Sequence, residues 1–243
     1  MHVDDPGIRD MFAQAKKYFD GAQTVCTEVK LDFETVAAEM RVMFFSDGRT
    51  LKSVMNDDEL YQRVIHTASL RGLPEVMVRS MKPFTLAFML SMPQSKGPVL
   101  DEKIYTDAVR QDKKICGLET TVEHSNVFES FDMNTQVQML KTTVERIDEV
   151  DGMYPALLAA YLDRDLAAIA RLVNESLLME DGKIEKIFIQ RFLIDRNSKM
   201  AQRMVPLINK GGAFFAVGAM HLTGKAGLLR LLEAQGYTIS RVY

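Results

Sequence analysis

Apolar residues recur at three- and four-residue spacing through Ile8, Met11, Phe12, Ala15 and Phe19, the stripe of a helix that buries one face. Asp4-Asp5-Pro6 supplies its start, since proline is tolerated in a first helical turn, and Gly21 its stop. The period then changes. Thr24-Val25-Cys26-Thr27-Glu28-Val29 is β-branched and mostly apolar and predicts a strand. Ser46-Asp47-Gly48 predicts a turn. Asn56, with Glu59 three residues on, has the form of a helix cap and its reciprocal partner, opening a helix through Leu60 to Arg71 that Gly72-Leu73-Pro74 ends.

Farther along, Pro93 to Pro98 reads as a loop, Asp101 to Lys113 as a helix and Lys114-Ile115-Cys116-Gly117-Leu118-Glu119 as a strand. Asn126 to Ser176 is helical by period, with interruptions expected at Asp151-Gly152 and Tyr154-Pro155. Phe188 to Asn209 is helical too, and Pro206 should bend or break it near its end. Ala213 to Val217 predicts a buried strand, followed by Gly218, Ala219 and His221. An apolar-periodic helix, the stop Gly236 and a second β-rich run close the chain.

This alternation predicts a mixed α/β (α+β) fold. Its central, mostly parallel sheet takes strands from both ends of the chain and is flanked by helices, with large helical insertions over about 34–113 and 125–209. Parallel strands joined by right-handed crossovers bring their carboxyl ends to one edge, so polar residues there converge without proximity in sequence. Glu28, Glu119 and His221 all occupy such positions, and His2 stands where a strand end would fall if the chain extended upstream. Singly, each acid reads as a solvated strand-end residue. Together, two imidazoles and one or two carboxylates form a plausible shell for a divalent metal that keeps a position open for water.

The remaining candidates are weaker. His66 reads as a surface or partly buried residue and His124 as a residue that could line the site edge. In Asp195-Arg196-Asn197, the arginine and amide could steady an anionic intermediate, while spacing alone favours a helix-capping or surface salt-bridge trio.

Composition narrows the classes. The 243 residues, 47% of them hydrophobic, can bury one substantial core, and a net charge of -3 gives no basic footprint for nucleic acid. No apolar run is long enough to span a bilayer; Phe84 to Met92 is far too short. The opening residues carry no signal peptide. Two cysteines, Cys26 and Cys116, make neither a disulfide framework nor a zinc pattern and read as inert buried thiols. The 16 methionines read as core filling, not as a cofactor box.

Several segments together resemble the TraB/GumN family, bacterial relatives of the animal Tiki membrane metalloproteases. They are GAMHLTGKAGLLRLLEAQGYTI, KKICGLETTVEHSNVFES, DRNSKMAQRM and the opening MHVDD…VCTEV, with KPFTLAFML as weaker support. The resemblance covers essentially the whole chain. It implies an α/β sheet with helical insertions, two GxxH motifs holding a divalent metal, a strand-end glutamate and an Arg-Asn pair. Gly218-Ala219-Met220-His221 matches the second GxxH, Glu28 and Glu119 the acids, and Arg196 and Asn197 the basic and amide residues. The first GxxH should follow a strand and Gly-Thr, yet Met1-His2 opens this chain, so one domain lacking its first strand is expected. The family commonly has glutamine where this chain has His124.

These readings converge on a metal-dependent hydrolase acting on a peptide or protein. His2, His221 and Glu28 would hold Mn, Co or Zn, Glu28 or Glu119 would act as ligand or general base, and Arg196 and Asn197 would steady the oxyanion. The alternative is a non-catalytic protein that sequesters a peptide or signal in the same cleft, in keeping with the family's link to pheromone shutdown. An extracytoplasmic location is expected if an export signal precedes the present start.

Overall fold

The computed structural model describes residues 1–92, 97–176 and 182–242. Helix α1 (Pro6–Gly21) leads into strand β1 (Thr24–Thr27). Six helices follow: α2 (Phe33–Met43), α3 (Leu51–Met55), α4 (Asp58–Leu70), α5 (Glu75–Val78), α6 (Pro83–Ser91) and α7 (Leu100–Arg110). Strand β2 (Lys114–Gly117) is followed by α8 (Thr121–Phe128), α9 (Met133–Glu145), α10 (Ile147–Leu162), α11 (Leu166–Ser176) and α12 (Gly182–Ile189). A π-helical segment, Gln190–Ile194, runs directly into α13 (Asp195–Lys210). Strand β3 (Ala213–Phe215), a 3₁₀ turn at Ala219–Leu222 and α14 (Leu228–Ala234) complete the fold. The mixed α/β expectation holds. Among the described residues no helix is long and apolar enough to cross a membrane.

The three strands form one parallel sheet in the order β2-β1-β3, with β1 central. Alternate β1 side chains face opposite layers. Val25 packs with Phe19, Ile104 and Ala108 from α1 and α7, while Cys26 packs with Met200, Ala201, Met204, Leu228 and Leu232 from α13 and α14. A separate core of α3, α4, α6 and α9, including Leu51, Val64, Leu86 and Leu140, builds a helical lobe.

Several local expectations need correction. The structure joins Cys26 and Cys116 in a disulfide, because the parallel register sets them opposite each other although 90 residues separate them in sequence. Closing so long a loop restricts the unfolded chain, so reduction should cost about 2–4 kcal/mol. Thermal unfolding with and without dithiothreitol checks this; the Cys26→Ser/Cys116→Ser protein should ignore the reductant.

Asp57, not Asn56, caps α4 by accepting the Leu60 N–H, and Asn56 takes the left-handed conformation (φ 51°) that ends α3. The interruptions expected at Asp151-Gly152 and Tyr154-Pro155 do not occur, since packing of α10 against α11 and α6 outweighs one missing backbone hydrogen bond. The breaks fall instead before Asp132, which caps α9, at Arg146 between α9 and α10, and around Arg164, with φ 59°. Pro206 likewise lies inside α13 without ending it. Strand β3 is short and half-buried at the sheet edge, and residues 237–242 form no strand. The loop expected over 93–98 falls largely outside the described residues.

Helix α8 shows why its acidic first turn matters. Glu123 and Thr120 cap each other, and Arg203 of α13 donates to Glu123 at 2.7 and 2.9 Å. The Arg203 hydrogen bonds, against some burial, hold the Glu123 carboxyl well below the usual 4.5. A depressed carboxylate contributes its stability above the unfolded value and loses it as pH falls below 4.5 toward the folded value. Because Arg203 is well exposed, Glu123→Gln should cost only up to about 1 kcal/mol at neutral pH. Urea unfolding should show that difference begin to shrink as pH falls below 4.5 and keep shrinking with further acidification.

Candidate functional site

The β1–β2 ladder runs past the strands: Leu118 donates its N–H to Thr27 O at 2.9 Å and Glu119 to Glu28 O at 2.7 Å. This alignment delivers both acids, side by side, to the carboxyl edge of the sheet. Gly117 permits the approach, since a Cβ there would sit 3.1 Å from Lys30 N and 2.8 Å from Glu119 O.

Helix α13 brings the counter-charge. Its buried face carries Arg196, Asn197, Met200, Ala201 and Met204, so the consecutive polar pair enters on the same face as the apolar core residues. The preceding π-segment sets that phase, a distortion common at functional sites. Arg196 Nε donates to both Glu119 oxygens at 3.0 Å, and Nη2 donates to Glu119 Oε2 at 2.6 Å and to Glu28 Oε2 at 2.7 Å. Nη1 reaches Phe192 O at 3.3 Å. The Glu119 side chain is 1% exposed. Two carboxylates against one guanidinium leave this cluster one negative charge.

His221 arrives from the β3 side on the 3₁₀ turn, 4% exposed. Asn197 Nδ2 donates to Ala226 O at 2.8 Å, which turns Asn197 Oδ1 toward His221 Nδ1 at 2.6 Å. An amide oxygen accepts, so Nδ1 is the donor, and the neutral tautomer that this contact selects is the one whose Nε2 keeps a lone pair. That Nε2 lies 3.6 Å from Glu28 Oε2. The other Glu28 oxygen accepts the Gly218 N–H at 2.6 Å, and a Cβ at Gly218 would sit 3.1 Å from it. The glycine of the Gly218–His221 motif therefore gives Glu28 room to dock. Burial opposes the Glu28 charge, but a protonated His221 ring, the Arg196 guanidinium and the Gly218 N–H outweigh it and hold the carboxyl far below its usual range.

Five of the six sequence candidates thus meet: Glu28, Glu119, Arg196, Asn197 and His221. His2 makes a bridge to Val99 and its Nδ1 sits 2.9 Å from Gly97 O. Only a protonated Nδ1 suits a carbonyl, so the neutral tautomer that fits this contact is again the one with a lone pair on Nε2. His124 pairs with Glu39 of α2 at 2.7 Å, and His66 is exposed on α4. Asp101, in the first turn of α7, went unnoticed in the sequence, where nothing but its helix-start position marks it. Surrounding protein and the Glu28 charge raise its carboxyl, and the Met1 amino group lowers it.

A divalent metal can be tested against these donors. The 3.6 Å between Glu28 Oε2 and His221 Nε2 is near the roughly 3.3–3.5 Å separating two ligands of a tetrahedral ion. The Asn197 bond to Nδ1 is the outer-shell contact that orients a metal-binding histidine. The net negative charge suits a cation as well. Among the described residues, no three histidine, cysteine or carboxylate groups are assembled to share one ion. The cluster therefore fits a metal as a two-ligand edge.

A parallel sheet with paired strand-end acids, a bridging guanidinium and an imidazole from the next strand defines an α/β protein with its polar site at the sheet's carboxyl edge. The chain belongs to the TraB/PrgY/gumN family, whose sequence profile matches residues 1–241. It is also 26% identical over 168 residues to a Metalloprotease TIKI homolog from Nematostella vectensis. That match covers 60% of this chain and 36% of the relative, so the chain spans little more than a third of the relative's length. No solved structure matches the chain.

Proposed function

We propose that this protein is a metal-dependent hydrolase that cuts peptide bonds. The observation that carries the reading is the Asn197–His221–Glu28 arrangement, which offers an imidazole lone pair and an ionised carboxylate to one point at the sheet edge. Glu28 and His221 would hold Mn, Co or Zn, with His2, whose Nδ1 faces Gly97 O, as the third donor. When bound, such an ion lowers the pKa of its water and polarises a carbonyl.

The chain's own residues prepare that point. Asn197 selects the His221 tautomer. Gly218 and Arg196 fix both Glu28 oxygens, and Arg196 anchors to Glu119, so the guanidinium position is set by a buried carboxylate. Every Arg196 nitrogen and both Asn197 polar atoms have protein partners, which suits positioning roles for this pair. The distant likeness to a TIKI-type metalloprotease supports a peptide or protein as substrate. The Cys26–Cys116 disulfide supports a location outside the reducing cytoplasm.

Calorimetric titration with zinc, manganese and cobalt, followed by mass spectrometry of a peptide library, tests the proposal. Metal uptake and cleavage that stop with chelator and return with metal are expected. Absence of both sinks it. The same saturation of Arg196 and Asn197 favours a second reading, a protein that sequesters peptides; it predicts retention without turnover, indifferent to chelator.

A further inference from the structure

The helical lobe contains a cavity of about 480 Å³ between α6, α9, α10 and α11, within the range of about 300–1,000 Å³ common to small-ligand sites. Its wall is mostly apolar and includes Phe84, Met139, Leu157 and Leu172. The charged residues at its edge are already paired, Arg146 with Glu149 at 2.5 Å and Asp151 with Arg71 at 2.6 Å. A cavity with such walls holds water poorly and favours apolar groups.

Two features tie this cavity to the site. Met220, part of its wall, is the residue bonded to His221. On another side Tyr154 of α10 lines it, and α10 packs against α1, the helix that follows the segment carrying His2. The cavity therefore borders the 3₁₀ turn that carries His221.

We infer that this cavity is the specificity pocket of the protein, taking apolar side chains of a peptide held against the Glu28–His221 edge. The inference rests on the peptide-hydrolase reading and adds a substrate class to it. A peptide suits the wall better than a fatty acyl chain does. Thr142 and Tyr154 place hydroxyl groups among the apolar side chains, and Thr143, whose own proton goes to Met139 O at 2.9 Å, adds an acceptor; a backbone can use these while an acyl chain cannot.

The test uses the full chain and two short fluorescein-labelled peptides that differ only at adjacent central positions, leucine–phenylalanine in one and serine–serine in the other. Anisotropy should show the apolar peptide binding roughly ten-fold or more tightly, the discrimination an apolar pocket typically provides. Thr143→Trp and Thr142→Trp, which project an indole into the cavity, should erase that difference while the thermal midpoint holds. If either fails to fold, Phe88→Ser, which strips an apolar side chain from the wall at a more exposed position, should reduce it instead. His221→Ala should keep the discrimination.

Equal binding of the two peptides, or discrimination that survives in a folded tryptophan variant, overturns the inference. So does palmitate that binds the cavity without displacing the apolar peptide. Discrimination without cleavage by the wild type would leave the pocket standing and remove the hydrolase reading. Cleavage with equal binding would do the reverse.

Discussion

Replacing Arg196 with leucine is expected to destabilise the protein by about 3–5 kcal/mol, because it strands buried carboxylates without their counter-charge. For a chain of this size that is roughly 6–20 °C in thermal midpoint. The Glu119 side chain, 1% exposed, loses all three of the hydrogen bonds that it accepts from the guanidinium. Glu28 suffers less, since it is half-buried and keeps the Gly218 N–H. Lysine should rescue only in part, because a point charge cannot serve both acids in the fork geometry of a guanidinium. Arg196→Leu combined with Glu119→Leu should lie closer to wild type than Arg196→Leu alone, since it removes the orphaned charge along with its partner. A single variant that melts at the wild-type temperature would show that the cluster contributes little to the fold.

The second large effect concerns affinity. Under the proposed function, His221→Ala should lower divalent-metal affinity by more than the roughly 10–100-fold that loss of an outer-shell partner costs. Asn197→Ala should fall within that range, since it leaves the ring but frees its tautomer and orientation. Glu28→Gln should resemble His221→Ala, because the amide removes the negative charge that the site holds so firmly ionised. His2→Ala reports separately on the amino-terminal donor. Calorimetry resolves all four, and cleavage rates should fall in the same order. Unchanged metal binding in His221→Ala would break the link between this edge and any ion.

The sheet was legible because Val25, Ile115 and Phe214 lie in short apolar, β-rich runs whose period departs from the surrounding helices. Convergence of Glu28, Glu119 and His221 followed from topology: parallel strands must present like ends together. Arg196 and Asn197 were ambiguous, since Asp195-Arg196-Asn197 reads equally as a helix-capping or surface salt-bridge trio and its inward phase follows a π-segment that the sequence does not announce. The Cys26–Cys116 bond was invisible for a different reason. Pairing across 90 residues depends on strand register, which neither cysteine's neighbours encode. Pro155 misled because local propensity takes no account of the packing that carries α10 through it. The cavity had no sequence signature, being a space that separate helices and the 3₁₀ turn leave between them.

The bond between Cys26 and Cys116 and the Arg196 bridge between Glu28 and Glu119 tie the same two strands at successive levels. The imidazole, by contrast, hangs from a three-residue edge strand and depends on Asn197 and Gly218 for its place. The acids thus sit on a doubly cross-braced pair of strands, while the imidazole is seated by one amide and by the packing of its turn against α11 and α14, so a change in either helix would be felt first at His221.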